Sequence, residues 1–155
     1  MNKIILEENK KINEILNAFL EPFECTASLD TDFAYYTNKN LITYAFFTPE
    51  KNSKSFLKFC ENLFPNIHAD IFLWSFMHEL AHHETEDDIE DEEWEEYEEK
   101  ITHNISDEEY YNLIPERAAT VWAGEYIQSH VDEVAELWNE LQPAIENFYS
   151  KLNVE

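Results

Sequence analysis

The sequence predicts an α+β fold, a single domain over residues 1–155 with a short antiparallel sheet and a mostly helical remainder. Three observations lead there. Apolar residues recur at helical spacing near both ends of the chain. Short runs of β-branched and aromatic residues, separated by turn formers, occupy 23–47. Further on, Ile71-Phe72-Leu73-Trp74-Ser75-Phe76-Met77 is apolar on nearly every side, the pattern of a buried helix. A chain of 155 residues can bury a proper core without disulfides or other staples.

In order along the chain, Ile4, Ile5, Leu6, Ile12, Ile15, Leu16, Phe19 and Leu20 predict a first helix that Pro22 ends. Phe23–Leu29 and Phe33–Tyr36 read as short strands. Thr37-Asn38-Lys39-Asn40 is a turn rich in residues that tolerate left-handed geometry, and Leu41–Phe47 follows as a stronger strand, completing a β-meander. From Thr48-Pro49 to Phe64-Pro65 a helix-bearing insertion turns Phe56, Leu57, Phe59, Cys60, Leu63 and Phe64 inward and Lys51, Lys54 and Lys58 to water. Asp70 stands where a cap is needed before the apolar helix. Pro115 suits the first turn of another helix, Glu116–Ile127. Ser129 with Asp132 predicts a cap for the last helix. Its stripe of Val131, Val134, Trp138, Leu141, Ile145, Phe148 and Leu152 predicts core packing, with a kink at Pro143.

The apolar helix runs into His78-Glu79-Leu80-Ala81-His82. Residues four apart share one helical face, so His78 and His82 can aim two imidazole nitrogens at one zinc ion. Glu79 then stands beside the water that such an ion polarises, where a carboxylate can take its proton during peptide hydrolysis. The motif is short, and the competing reading is a core helix whose histidines are hydrogen-bonded at its surface end. A zinc site of this kind takes a third protein ligand. Glutamates abound, but Glu116 opens a helix whose neighbours Ala119, Thr120 and Ala123 are small enough for close approach to the His78 helix. The competing reading makes Glu116 one more first-turn acid favoured by the helix dipole. His83 lies one helical step away from His78 and His82 and is excluded as a ligand.

Together, His78-Glu79-Leu80-Ala81-His82 and Glu116-Arg117-x-Ala119-Thr120-x-Trp122-Ala123-x-Glu125 resemble the ImmA/IrrE-type metallopeptidases. These are gluzincin-like enzymes with an HELxH helix and a second helix reading roughly E-x-E-A-N-x-F-A. The resemblance covers about 23–128 in order of elements and is specific at the two helices. It implies a small zincin-like domain with His78, His82 and Glu116 as zinc ligands and Glu79 as general base. It also implies a protein or peptide substrate, often a transcriptional regulator or repressor among relatives. Strand addition at a sheet edge would hold that substrate, and Leu41–Phe47 is the candidate edge, with an interior strand as the alternative. The hydrogen-bond donor for the oxyanion is sought among His103, Tyr110, Tyr111 and Tyr126. This chain departs from the pattern where Ala81 replaces a common Gly and where Ala118 and Thr120 replace the usual Glu and Asn. An acidic insertion at about 84–100 also lengthens the interval between His82 and Glu116, while the ligands stand intact.

Residues 84–99 of that insertion hold 12 acids in 16 positions. Ile89, Trp94, Tyr97 and Ile101 fall near one side of a helix, so the segment reads as an acidic helix docking an aromatic stripe. Its outer face reads first as solvated charge, and functionally as a rim that attracts cationic substrates. The net charge of −24 argues against direct binding to a phosphate backbone. It leaves open a second function class: a DNA-mimic-like acidic protein with a structural zinc site that inhibits a basic nucleic-acid-binding partner. The N-terminus turns acidic after three apolar residues, unlike a signal peptide, and no run approaches a membrane span. Cys25 and Cys60, far apart and outside any metal-type pair, read as reduced core thiols of a cytoplasmic protein.

Overall fold

A computed structural model describes the backbone of residues 3–24, 26–29, 41–44 and 51–152, and the side chains of 10–24, 55–147 and 150. In chain order its elements are α1 (Lys3–Leu20), β1 (Thr26–Leu29), β2 (Leu41–Tyr44), α2 (Lys51–Leu63), α3 (Ile71–Thr85), α4 (Asp91–Ile101), α5 (Asp107–Asn112), α6 (Ile114–Ser129) and α7 (Val131–Leu152). Short 3-10 turns occupy Glu21–Phe23 and Glu86–Asp88. Two compact units result, one from residues 1–44 with 130–155 and the other from residues 45–129. Among the described residues no helix is long and apolar enough to cross a membrane.

The predicted α+β class, with its antiparallel sheet, is overturned. The described residues are overwhelmingly helical, and the strands among them are two four-residue segments that pair in parallel, Thr26 opposite Leu41 and Leu29 opposite Tyr44. Adjacent strands joined by tight turns would run antiparallel. Here the two strands, separated in sequence by 30–40, pair in parallel. Phe23 closes a 3-10 turn instead of opening a strand. Phe33–Tyr36 and Ala45–Phe47, two further pieces of the predicted meander, lie outside the described residues.

In the first unit α1 packs on α7. Ile12, Leu16 and Leu20 of α1 are buried at intervals of four, and α7 buries Val134, Leu137, Leu141, Ala144 and Ile145 at matching helical spacing. Of the stripe predicted for α7, Val134, Leu141 and Ile145 are core, Trp138 is half-buried and Val131 is exposed, while the side chains of Phe148 and Leu152 lie outside those described. Helix continues on both sides of Pro143. The serine predicted to cap α7, Ser129, is the last residue of α6. There its hydroxyl donates to the Glu125 carbonyl at 2.8 Å.

The second unit is built around α3. Asp70 caps this helix as predicted, its side chain accepting the Phe72 N–H at 2.7 Å. Buried residues then line every side of α3 from Phe72 to His78. A helix so enclosed needs close neighbours, and α6 supplies one along a face of Ala119, Thr120, Ala123 and Gly124, all buried. A Cβ at Gly124 would run into the ring of Phe64, which itself packs on Trp74 with ring centres 6.1 Å apart. Gly124→Ala should therefore lower the thermal midpoint. Overpacking costs roughly 1–3 kcal/mol, against up to about 1 kcal/mol gained in helix propensity. Melting followed by circular dichroism checks this, and an unchanged midpoint would mean that Phe64 moves aside freely.

Candidate metal centre

Helix α3 carries His78 and His82 one turn apart, and α6 carries Glu116 in its first turn. Packing of the two helices brings the three side chains together. His78 Nε2 lies 3.1 Å from Glu116 Oε1, and His82 Nε2 lies 3.0 Å from Glu116 Oε2. All three ligand atoms fall within 4.8 Å of one another, and the group could hold a metal ion. Tetrahedral coordination with bonds of about 2.0–2.1 Å places neighbouring ligand atoms roughly 3.4 Å apart. The two His–Glu separations run to different carboxylate oxygens and also match hydrogen-bonded pairs, so one ion would take one of the two oxygens.

Thr120 decides how His78 is oriented. Its hydroxyl donates to the Glu116 carbonyl at 3.2 Å, one turn back along α6. With its proton on that carbonyl, the hydroxyl oxygen can accept from His78 Nδ1–H, 3.1 Å away, the tautomer that leaves Nε2 free for an ion; in the other tautomer Thr120 donates to Nδ1 and Nε2–H donates to Glu116 at 3.1 Å. A hydrogen bond on the far ring nitrogen is the usual support of a metal-binding histidine. Thr120→Val, which keeps the side-chain shape and removes the hydroxyl, should weaken metal binding by roughly 10–100-fold. Competition with a chromophoric chelator would measure it, and an unchanged affinity would deny Thr120 this role.

Burial alone would push the Glu116 carboxyl up, but hydrogen bonds from His78 and His82, together with their charges, hold it down at about 2. Burial likewise disfavours the charged form of His82, yet bonding to Glu116 and the charges of Glu116 and Glu79 raise its pKa above the ordinary value. The metal-free pair thus has a pH window. The Glu116 contribution is lost as pH falls toward about 2, and that of His82 is lost as pH rises through its raised pKa. Access is asymmetric: the side chains of His78 and Glu116 are 7% and 6% exposed, whereas that of His82 is 26% exposed. Glu79, next to His78, is half-buried, and its charge acts on both His82 and Tyr97.

The other predicted residues divide into two groups. Tyr110 belongs to the centre: its hydroxyl is 3.3 Å from that of Tyr97, and burial is the main cause that pushes both phenols above their ordinary range, with the Glu116 charge adding to it. Tyr111 sits one layer out, its ring against Phe56 and Phe59 at 5.4 and 5.5 Å. Tyr126 stacks on Trp122, roughly 15 Å along the α6 axis from Glu116 at 1.5 Å per residue. His103 is exposed just beyond the end of α4. His83, excluded as a ligand, pairs with Glu84 at 3.2 Å. Cys60 is buried in α2, and burial, with the Glu61 charge, pushes its thiol up to about 12.

Three contacts escape a reading of sequence alone. Thr120 counts there only as a small residue, although its position four after Glu116 puts it on the ligand's face. Phe56 from α2 meets the His78 ring edge-on at 5.2 Å, so the insertion borders the centre. Tyr97, one of an aromatic stripe in an acidic run, donates to Glu116 Oε2 at 3.4 Å. No family model, no curated protein and no solved structure matches the chain.

Proposed function

We propose that this chain is a zinc-dependent metallopeptidase of the ImmA/IrrE type acting on a specific cytoplasmic protein, such as a transcriptional regulator. One observation carries the reading. His78 Nε2, His82 Nε2 and the Glu116 carboxylate converge, while Thr120 holds His78 by its other nitrogen. Bound by these three, zinc would supply Lewis acidity, polarising a carbonyl and lowering the pKa of water to about 7. Glu79 takes the proton of the attacking water and delivers it to the leaving amine. Tyr110, beside Tyr97 and Glu116, stays in this reading as the donor for the oxyanion. The strongly negative chain repels nucleic acid, so a regulator bound to DNA is reached as protein, not through its DNA.

The test is incubation of the zinc-loaded protein with a denatured peptide library, read by mass spectrometry. New termini that a chelator suppresses are expected. Their absence at full zinc load, together with no chelator-sensitive cleavage in a native cell extract, would contradict the peptidase. The acids of α4, most of them exposed, favour a second reading, an acidic interaction protein that keeps zinc for stability and fills the groove of a basic partner. Neutralising those acids would abolish that function, and Glu79→Gln would spare it.

A further inference from the structure

We propose that Tyr97 is a positioning residue of the metal centre, tying the acidic helix α4 to Glu116 so that metal binding and α4 docking reinforce each other. This inference rests on reading His78, His82 and Glu116 as a metal centre. Seven of the eleven residues of α4 are acidic, and none of its residues is fully buried. Such a helix is repelled by the carboxylates of Glu79 and Glu116. What turns inward is the half-buried pair Trp94 and Tyr97, their rings in edge contact at 5.7 Å. Beyond it, Tyr97 meets Tyr110 of α5 ring to ring at 6.3 Å and hydroxyl to hydroxyl at 3.3 Å. The same hydroxyl donates to Glu116 Oε2 at 3.4 Å, the oxygen that also faces His82.

Two consequences follow from this placement. A donor on one carboxylate oxygen fixes how the carboxylate presents itself to an ion, as supporting residues do at metal sites. A divalent cation among the three ligands would also neutralise the charge that repels α4, strengthening its docking. By reciprocity, a docked α4 favours the cation by the same factor.

The experiment uses the full chain and compares wild type with Tyr97→Phe, which keeps the ring and removes the hydroxyl. Zinc affinity is measured by chelator competition, the visible spectrum is recorded with cobalt(II) in place of zinc, and hydrogen exchange is followed over 91–101. Zinc affinity should fall by about tenfold or more in the variant, with a changed cobalt(II) spectrum. Metal should slow exchange of the α4 amides in the wild type and do so less in the variant. Unchanged affinity and spectrum would overturn the proposal, even if the variant melted earlier, since a purely structural role would move only stability. A wild type that takes up no metal would instead overturn the metal-centre reading on which the proposal stands.

Discussion

Glu116→Ala is expected to weaken zinc binding by roughly two to three orders of magnitude. Structural zinc sites bind with about 10–16 kcal/mol, so one ligand in four carries on the order of 2.5–4 kcal/mol. Two features keep the loss from being repaired. His78 is buried with Nδ1 committed to Thr120, so its ring cannot turn to find another partner without abandoning that bond. The neighbouring acid, Glu79, follows His78 on the same helix and faces a different direction from residues four apart. Chelator competition on the purified variant measures the loss. Wild-type affinity in Glu116→Ala would place the third ligand elsewhere.

Glu79→Gln is expected to do the opposite. Zinc content should match the wild type, because Glu79 is not among the converging ligands. Peptide cleavage should fall by roughly 10²–10⁴-fold, the usual contribution of a general base. Its amide is close in shape to the carboxylate and accepts no proton at neutral pH. Single-turnover cleavage of a peptide recovered from the library screen would measure the drop. A variant that cuts at the wild-type rate would remove Glu79 from the mechanism, and one that loses zinc would make it structural.

Legibility of the chain followed the range of the interactions. The Asp70 cap and the shared face of His78 and His82 depend on residues two and four apart along one helix, so they can be read directly. Glu116 was legible through the small face of α6, although choosing it over other acids required the packing of α6 on α3. Strand pairing was not legible, because the composition of two short strands does not fix whether they pair in parallel or antiparallel, and these pair in parallel. Ser129 was ambiguous because a serine between two helices can close one or open the next, and here it is the last residue of α6 and bonds back to Glu125. Tyr97 was hidden for a similar reason: seven acids dominate α4, while its contact with Glu116 is made across helices.

X-ray absorption at the zinc edge, on wild-type protein loaded with one equivalent and freed of excess, tests the central claim most directly. The account predicts about one zinc per chain with nitrogen and oxygen ligands at roughly 2.0–2.2 Å and no sulfur shell near 2.3 Å. A sulfur shell, or a protein that emerges from the zinc load empty, would contradict it.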